Sequence, residues 1–449
     1  MKRRTFLKST PLIFLSPIIM SACEGEDIMP GVGKKVIVVG AGLAGIYAAH
    51  MLLQKGFEVE ILEASDRWGG RIRVLDGFAD FAVELGAEEV HGEKSEWYKL
   101  VKKTPGLSFA DVDDQGFYWL DNGLKTETQI KADADGAKAL SFVENAQAYS
   151  GQDKTVLQHA DAQNIPQRVR HFVNAQLGNE FGTSNDHLSI KGIAEEDNVW
   201  TAGDQNLIVA NRSYKQVMET HFSDAIAKTV LNTPVKSIDY SASKVKVADA
   251  NGALHEADFV VVTVPLPVLR DGDIVFSPSL PSDKTAAMQK IGMGAGMKII
   301  LKFNDRFWAA DTGSIYGAGP VPEYWYTANG RGTTPVLTAF VMGEKAEQLS
   351  ALGNAAVQTV LADLDAMYGG AASGKFVEAH IMDWRKMPFV RGAYSFPVVG
   401  GGIIQRQKLA ESVSGKVFFA GEATHTEGHS GTMHGALETA ARAVVEIVG

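Results

Sequence analysis

The sequence predicts an α/β fold, and three adjoining features between residues 34 and 63 predict it. Lys34-Lys35-Val36-Ile37-Val38-Val39 is a short apolar run of the kind required by a strand buried on both faces. Gly40-Ala41-Gly42-Leu43-Ala44-Gly45 follows at once and leads into an apolar helix expected over 46–54. Gly56 stops that helix, 57–62 reads as a second strand, and Glu63 stands at its end.

Each part has a physical task in a Rossmann-like βαβ unit. Gly40 permits the tight turn, Gly42 lets backbone approach a pyrophosphate, and Gly45 lets helix and strand pack closely. The free N–H groups of the helix start, where Ala44 lies, attract phosphate together with the helix dipole. Glu63, followed by Ala64, lies about 20 residues beyond the glycines, where a carboxylate can bind ribose hydroxyls. A G-x-G-x-x-G alone is a weak signal. Here strand, loop, helix, strand and acid agree, so a glycine turn with no ligand is the lesser reading.

The chain has 449 residues, long for one hydrophobic core, so two domains are expected. With 45% hydrophobic and 21% charged residues it is neither disordered nor fibrous. Its formal net charge is -10 and no long basic run follows the N-terminus, which leaves nucleic-acid binding without an electrostatic footprint. An acidic surface mildly favours cationic substrates, although solubility alone explains it equally well. Cys23 is the only cysteine, so an internal disulfide and a cysteine-rich metal site are both excluded.

Residues 1–23 read as an address. Arg3-Arg4-Thr5-Phe6-Leu7-Lys8 resembles the bacterial twin-arginine export motif, a route for proteins already folded around a cofactor. The apolar stretch over 12–20 is too short for a bilayer, which needs roughly 20 apolar residues. Met20-Ser21-Ala22-Cys23 resembles a lipoprotein box, with Cys23 the lipidated first residue of the mature chain. A plain signal peptide with a coincidental cysteine is the alternative. Residues 24–33 read as a tether. The expected location is the periplasm of a bacterium, free or as a membrane-anchored lipoprotein.

Past Glu63 the chain reads Ala64-Ser65-Asp66-Arg67-Trp68-Gly69-Gly70-Arg71. This resembles the stretch after the dinucleotide fold in the flavin-containing amine oxidase family, where Gly-Gly-Arg wraps the flavin diphosphate. Further matches follow in order. Glu84-Leu85-Gly86-Ala87-Glu88-Glu89-Val90-His91-Gly92 is similar to the family's segment beside the flavin. Asn232-Thr233-Pro234-Val235 is similar to the strand whose backbone touches adenine, here through Val235. Met293 to Ile299 resembles the segment with the active-site lysine, and Trp384 with Gly392-Ala393-Tyr394-Ser395 resembles the active-site tryptophan and Gly-x-Tyr-Ser turn. Gly421-Glu422 and Thr432-Met433-His434-Gly435-Ala436 resemble the closing flavin segment, with Glu422 on ribityl hydroxyls and the last helix start facing the pyrimidine end.

The resemblance implies FAD, and an α/β architecture of two discontinuous domains: a Rossmann-like FAD-binding domain over 34–92, 204–275 and 404–449, and an α+β substrate domain over 93–203 and 276–403. The segment over 125–176 reads as a helical cap. It also implies chemistry: oxidation of a primary or secondary amine to an imine that hydrolyses to a carbonyl product, the flavin being reoxidised by oxygen or a cytochrome-type acceptor. Lys298 is the expected titratable group, in a pocket made apolar by Met297, Ile299, Ile300 and Leu301; a solvent-facing lysine alternating with Lys302 is the bland reading. Tyr394 and Trp384 are the expected aromatic walls. Thr432 stands where several monoamine oxidases have a second tyrosine, so the cage is incomplete or is completed by Tyr324, Trp325 or Tyr326. Ala393 stands where some relatives attach flavin through cysteine, which implies non-covalent FAD. Glu88, Glu89 and His91 are candidate substrate contacts for a cationic group, or else a surface loop tied to backbone. No metal-ligand spacing stands out, and metal binding at His425, His429 and His434 is not expected. Rival readings are another enzyme of the flavin superfamily, of desaturase or porphyrinogen-oxidase type, and a non-catalytic electron-transfer lipoprotein.

Overall fold

The computed structural model describes residues 29–110 and 115–449. The export and lipidation readings, Cys23 included, fall on residues outside the described ones. The expected tether ends inside the body of the protein: the Gly31 N–H donates to the Lys55 carbonyl at 3.0 Å, and a Cβ on Gly31 would collide with Phe57.

The α/β architecture expected from the sequence is present. Strands Val417–Phe419, Phe259–Val262, Lys35–Val39, Glu58–Leu62 and Thr229–Val230 lie side by side, in that order and all parallel. Both faces of this sheet are covered, which is why its central strand is continuously apolar. Val36 and Val38 point to one side and pack with helices Leu43–Gln54, Tyr214–Ile226 and Met433–Val448. Ile37 and Val39 point to the other and pack on a smaller sheet of Val235–Asp239, Val245–Asp249, Leu254–Ala257 and Val275–Ser277. The first helix starts at Leu43, three residues before the position expected, because Gly42 is extended and serves as its N-cap. Gly45 therefore belongs to the helix.

The second sheet has the order Phe376–Asp383, Gly296–Phe303, Val336–Met342, Glu323–Tyr326, Thr312–Tyr316, Gln115–Leu120, Gly123–Thr126. Its pairs are antiparallel except Thr312–Tyr316 with Gln115–Leu120. Period-2 alternation sorts its faces. Met297, Ile299, Leu301, Leu337, Ala339 and Val341 pack on helices Gly343–Leu352 and Ala355–Tyr368. Lys298, Trp325 and Phe340 occupy the opposite face, toward the parallel-sheet half. The 125–176 segment is mainly helical, with helices Glu127–Ala132, Ala134–Asn145, Val156–Ala162 and Arg170–Val173 closing the far edge of this sheet.

Candidate active site

One cavity of about 730 Å³ runs from the glycine loop to the second sheet. Gly40, Gly42, Ala44, Glu63, Ala64, Gly70, Arg71, Gly86, Ala87, Val235, Gly421, Glu422, Thr432, Met433 and Ala436 line it, as do Lys298, Trp384, Tyr394, Glu88, Glu89, His91 and Trp325. Gly45 does not. A Cβ there would meet the Gly40 carbonyl oxygen at 2.0 Å, so this glycine acts through close packing and not by touching a ligand.

The glycine end has the form of an anion cradle. A Cβ on Gly42 would meet no described atom within 4 Å, so the loop presents bare backbone to open cavity. Gly42 has no side chain to cap the helix it starts, and the helix is long enough for a useful dipole. Gly42 and Gly69 bridge, bringing the second glycine pair against the first. Glu63 is already engaged: Oε2 accepts from the Ala41 N–H at 2.7 Å, and Oε1 from the Ser65 N–H and hydroxyl. Ser65 thus orients this carboxylate.

Arg71 and Glu422, expected on phosphate and on ribityl hydroxyls, both line the cavity and are paired with each other. Arg71 Nη1 donates to the Ala393 carbonyl and to Glu422 Oε1, each at 2.9 Å. Glu422 Oε2 accepts from the Ser395 hydroxyl at 2.6 Å and the Gly431 N–H at 2.9 Å. Burial alone would raise this carboxyl; the Arg71 charge and the Ser395 hydrogen bond outweigh it and hold it below the usual range. Buried Arg406 links Ser395 to Glu196, and Glu196 reaches Ser430. The pair is first a brace between distant segments. Thr432 caps the last helix, its hydroxyl accepting from the Gly435 N–H, and that helix start faces the cavity.

At the other end Lys298 is 3% exposed, which removes the solvent-facing reading; Lys302 on the same face reaches the rim and pairs with Glu378. The pocket around it is not apolar, however. Its Nζ donates to Glu88 Oε2 at 2.6 Å and to the Glu84 carbonyl at 3.2 Å, and lies 4.9 Å from the Trp325 ring centre. Arg331 donates to the other Glu88 oxygen at 2.9 Å. Burial would raise the Glu88 carboxyl, but the Lys298 and Arg331 charges prevail and lower it. Glu84 has the opposite fate: burial pushes it up to about 8, and among the described residues its Oε2 has no hydrogen-bond partner.

Trp384 donates its Nε1–H to the Leu85 carbonyl at 3.0 Å and backs Gly86; Tyr394 donates its hydroxyl to the Glu180 carbonyl at 2.6 Å. Of the three aromatics over 324–326, Trp325 faces the main cavity and stacks on Phe340 at 4.2 Å. Tyr324 faces away and bonds Asp363, and Tyr326 packs on Trp308, because alternation sends both to the helix-covered side. Phe340 carried no sequence signal. Asn179, in the π-helical turn Asn174–Asn179, fixes it by bonding the Phe340 carbonyl and the Met342 N–H. Beside Trp325 a small recess is walled by Glu88, Glu89, Glu180 and Glu323. Glu323 is buried, its Oε2 unpartnered among the described residues, and burial with the nearby Glu180 charge holds its carboxyl well above the usual range. His91 meets Asn206 at 3.0 Å and lies 3.7 Å from Glu89.

His425, His429 and Glu438 bring their ligand atoms within 4.8 Å of one another, an arrangement that spacing in sequence did not reveal. The hydrogen bonds favour a proton network. His425 Nδ1 accepts the Glu427 and His429 N–H groups, so its proton sits on Nε2, which points at Glu438 Oε2 at 2.7 Å. A metal would need that nitrogen bare.

The family model described as flavin containing amine oxidoreductase matches residues 43–448. The chain belongs to that family. It is 30% identical to lysine-specific histone demethylase 1 homolog 1 of Arabidopsis thaliana, over 97% of this chain and 54% of that protein. It is 28% identical to polyamine oxidase 4 of Oryza sativa subsp. japonica, over 92% of this chain and 88% of that protein. The chain spans about half the length of the first curated relatives it matches. The solved structure of putrescine oxidase bound to putrescine shares the fold, with a TM-score of 0.75 at 21% identity over 92% of this chain and 99% of that one.

For a flavin-containing amine oxidoreductase the cofactor is FAD, and the residues present fit it. The open side of Gly42 and the uncapped helix start suit its diphosphate, Glu63 is oriented for a ribose, and the second helix start suits the far end of the flavin.

Proposed function

We propose that the protein oxidises a primary or secondary amine at the carbon bearing nitrogen, on a substrate that also carries a second cationic group. The observation that supports this is the adjacency of two spaces: the cavity that runs from the FAD cradle past Trp325, Phe340 and Tyr394, and a separate recess walled by four glutamates, the two sharing Glu88, Glu89, Glu180 and Trp325 in their walls. Bound FAD supplies the two-electron acceptor for a hydride equivalent. The chain's own residues desolvate and orient the amine: Trp325 and Tyr394 offer aromatic faces, and Lys298 stands between Trp325 and Glu88. Glu323, Glu180 and Glu89 suit a distal ammonium, which would give the buried Glu323 Oε2 a hydrogen-bond donor that it lacks among the described residues. The similarity to a polyamine oxidase and a putrescine oxidase accords with a diamine or polyamine.

The imine then takes up water and releases a carbonyl compound with ammonia or an amine. Oxygen, reduced to hydrogen peroxide, or a cytochrome-type carrier accepts the electrons. Anaerobic mixing with monoamines, diamines, polyamines and amino acids tests the reading by loss of flavin absorbance. Diamines or polyamines should bleach it fastest; no bleaching by any amine would overturn it. We also propose export by the twin-arginine route and a lipid on Cys23, supported by the leader sequence alone. Mass spectrometry of the mature N-terminus should find acylated Cys23, and an unmodified cysteine there would refute the anchor.

A further inference from the structure

Glu88 is expected from the sequence to meet substrate, yet both its oxygens are already committed to buried cations. One oxygen takes Lys298 at 2.6 Å and the other takes Arg331 at 2.9 Å. Arg331 comes from the turn after Glu323–Tyr326, where its N–H donates to the Ala328 carbonyl, and its side chain is 2% exposed. It is purely a back support: it does not line the main cavity, whereas Glu88 and Lys298 do. The Glu84 carbonyl and the Trp325 ring hold the ammonium from two further directions. A substrate ammonium approaching Glu88 would be a third cation against a carboxylate that already holds two, and both resident cations would repel it. Without Glu88, in turn, a lysine with a long flexible stem would carry a buried charge with no carboxylate against it.

We propose that Glu88, clamped by Arg331, is a positioning residue that fixes Lys298 Nζ at the cavity wall, and is not a substrate carboxylate. The inference rests on the amine-oxidising reading for its role in turnover, but the ion triad can be tested without any amine.

The test is a double-mutant cycle of Glu88→Gln, Lys298→Met and the double variant, in the FAD-loaded protein. Three quantities are read: the thermal unfolding midpoint, the rate at which oxygen or an artificial acceptor reoxidises light-reduced protein, and the amine dependence of flavin reduction. The double variant should unfold at a higher temperature than Glu88→Gln alone, because the second change removes the charge that the first left uncompensated. Glu88→Gln should slow reoxidation or reduction by about tenfold with the amine half-saturation within about twofold, and adding it to Lys298→Met should slow neither further. Arg331→Met should show a weaker form of the same loss, restored in part by Arg331→Lys. If Glu88→Gln does not fold, Glu88→Asp and Arg331→Met carry the same cycle. Multiplying losses in the double variant would overturn the proposal. So would a Glu88→Gln effect confined to the half-saturation of diamines, or a double variant no more stable than the worse single one. Should no amine reduce the flavin, the functional reading fails while the unfolding and reoxidation measurements still judge the triad.

Discussion

Glu84 shows how one buried side chain ties stability to pH. Oε1 accepts the Tyr214 N–H at 2.7 Å, but burial dominates and pushes the carboxyl up to about 8. The folded protein therefore keeps a proton that the unfolded chain loses as pH rises above the ordinary carboxyl range. The stabilisation is complete below the unfolded value and is lost as pH climbs toward the folded one. Glu323 adds a slope of the same sign. Glu84→Gln is expected to lose less stability than the parent between about pH 5 and about pH 8, as measured by denaturant unfolding at each pH. An equal loss in both would show that Glu84 ionises normally. Glu438 has the opposite sign: burial raises it, but His425 and His429 hold it down at about 2, so its stabilisation is present above the ordinary carboxyl range and is lost as pH falls toward about 2.

At the scale of the element, the glycine loop separates two effects that a motif lumps together. A Cβ on Gly45 would meet the Gly40 carbonyl oxygen at 2.0 Å and the Thr263 hydroxyl at 2.9 Å, so the helix must move off the strand. A Cβ on Gly42 would enter the open cavity instead. Gly45→Ala should lower the unfolding midpoint of the FAD-free protein. Gly42→Ala should leave that midpoint nearly unchanged while reducing FAD affinity by at least about tenfold, near 1.4 kcal/mol. Calorimetry with and without FAD distinguishes them, and equal destabilisation of the apoprotein would contradict the assignment. Strands and helices of this unit were legible because their signals are local: an apolar run, a glycine, a carboxylate at a set distance. The facing of Trp325 was less so. Three aromatics in a row announce a strand, but only the packing of Tyr324 against Asp363 and of Tyr326 against Trp308 tells which face meets the cavity.

Across the whole molecule the cavity lies between two sheets, closed by a brace that runs Arg71–Glu422–Ser395–Arg406–Glu196. FAD would occupy the space that this brace borders, and Ala393 offers no sulfur for a covalent link. Denaturation should therefore release free yellow cofactor. Its removal should destabilise the fold by about 2.7 kcal/mol relative to protein with free FAD at about 100 times its dissociation constant. Flavin that stays with the precipitated chain would contradict this. By itself the sequence determined the βαβ unit, the cofactor class and the identity of most cavity residues, since each depends on neighbours within one strand–turn–helix or on a motif. Only the tertiary structure decided what those residues do to one another. Arg71 met Glu422 across 351 positions and Lys298 met Glu88 across 210, while Arg331, 243 positions from Glu88, had no local mark at all. A buried charge must find its counter-charge in space, and no spacing along the chain records which one it finds.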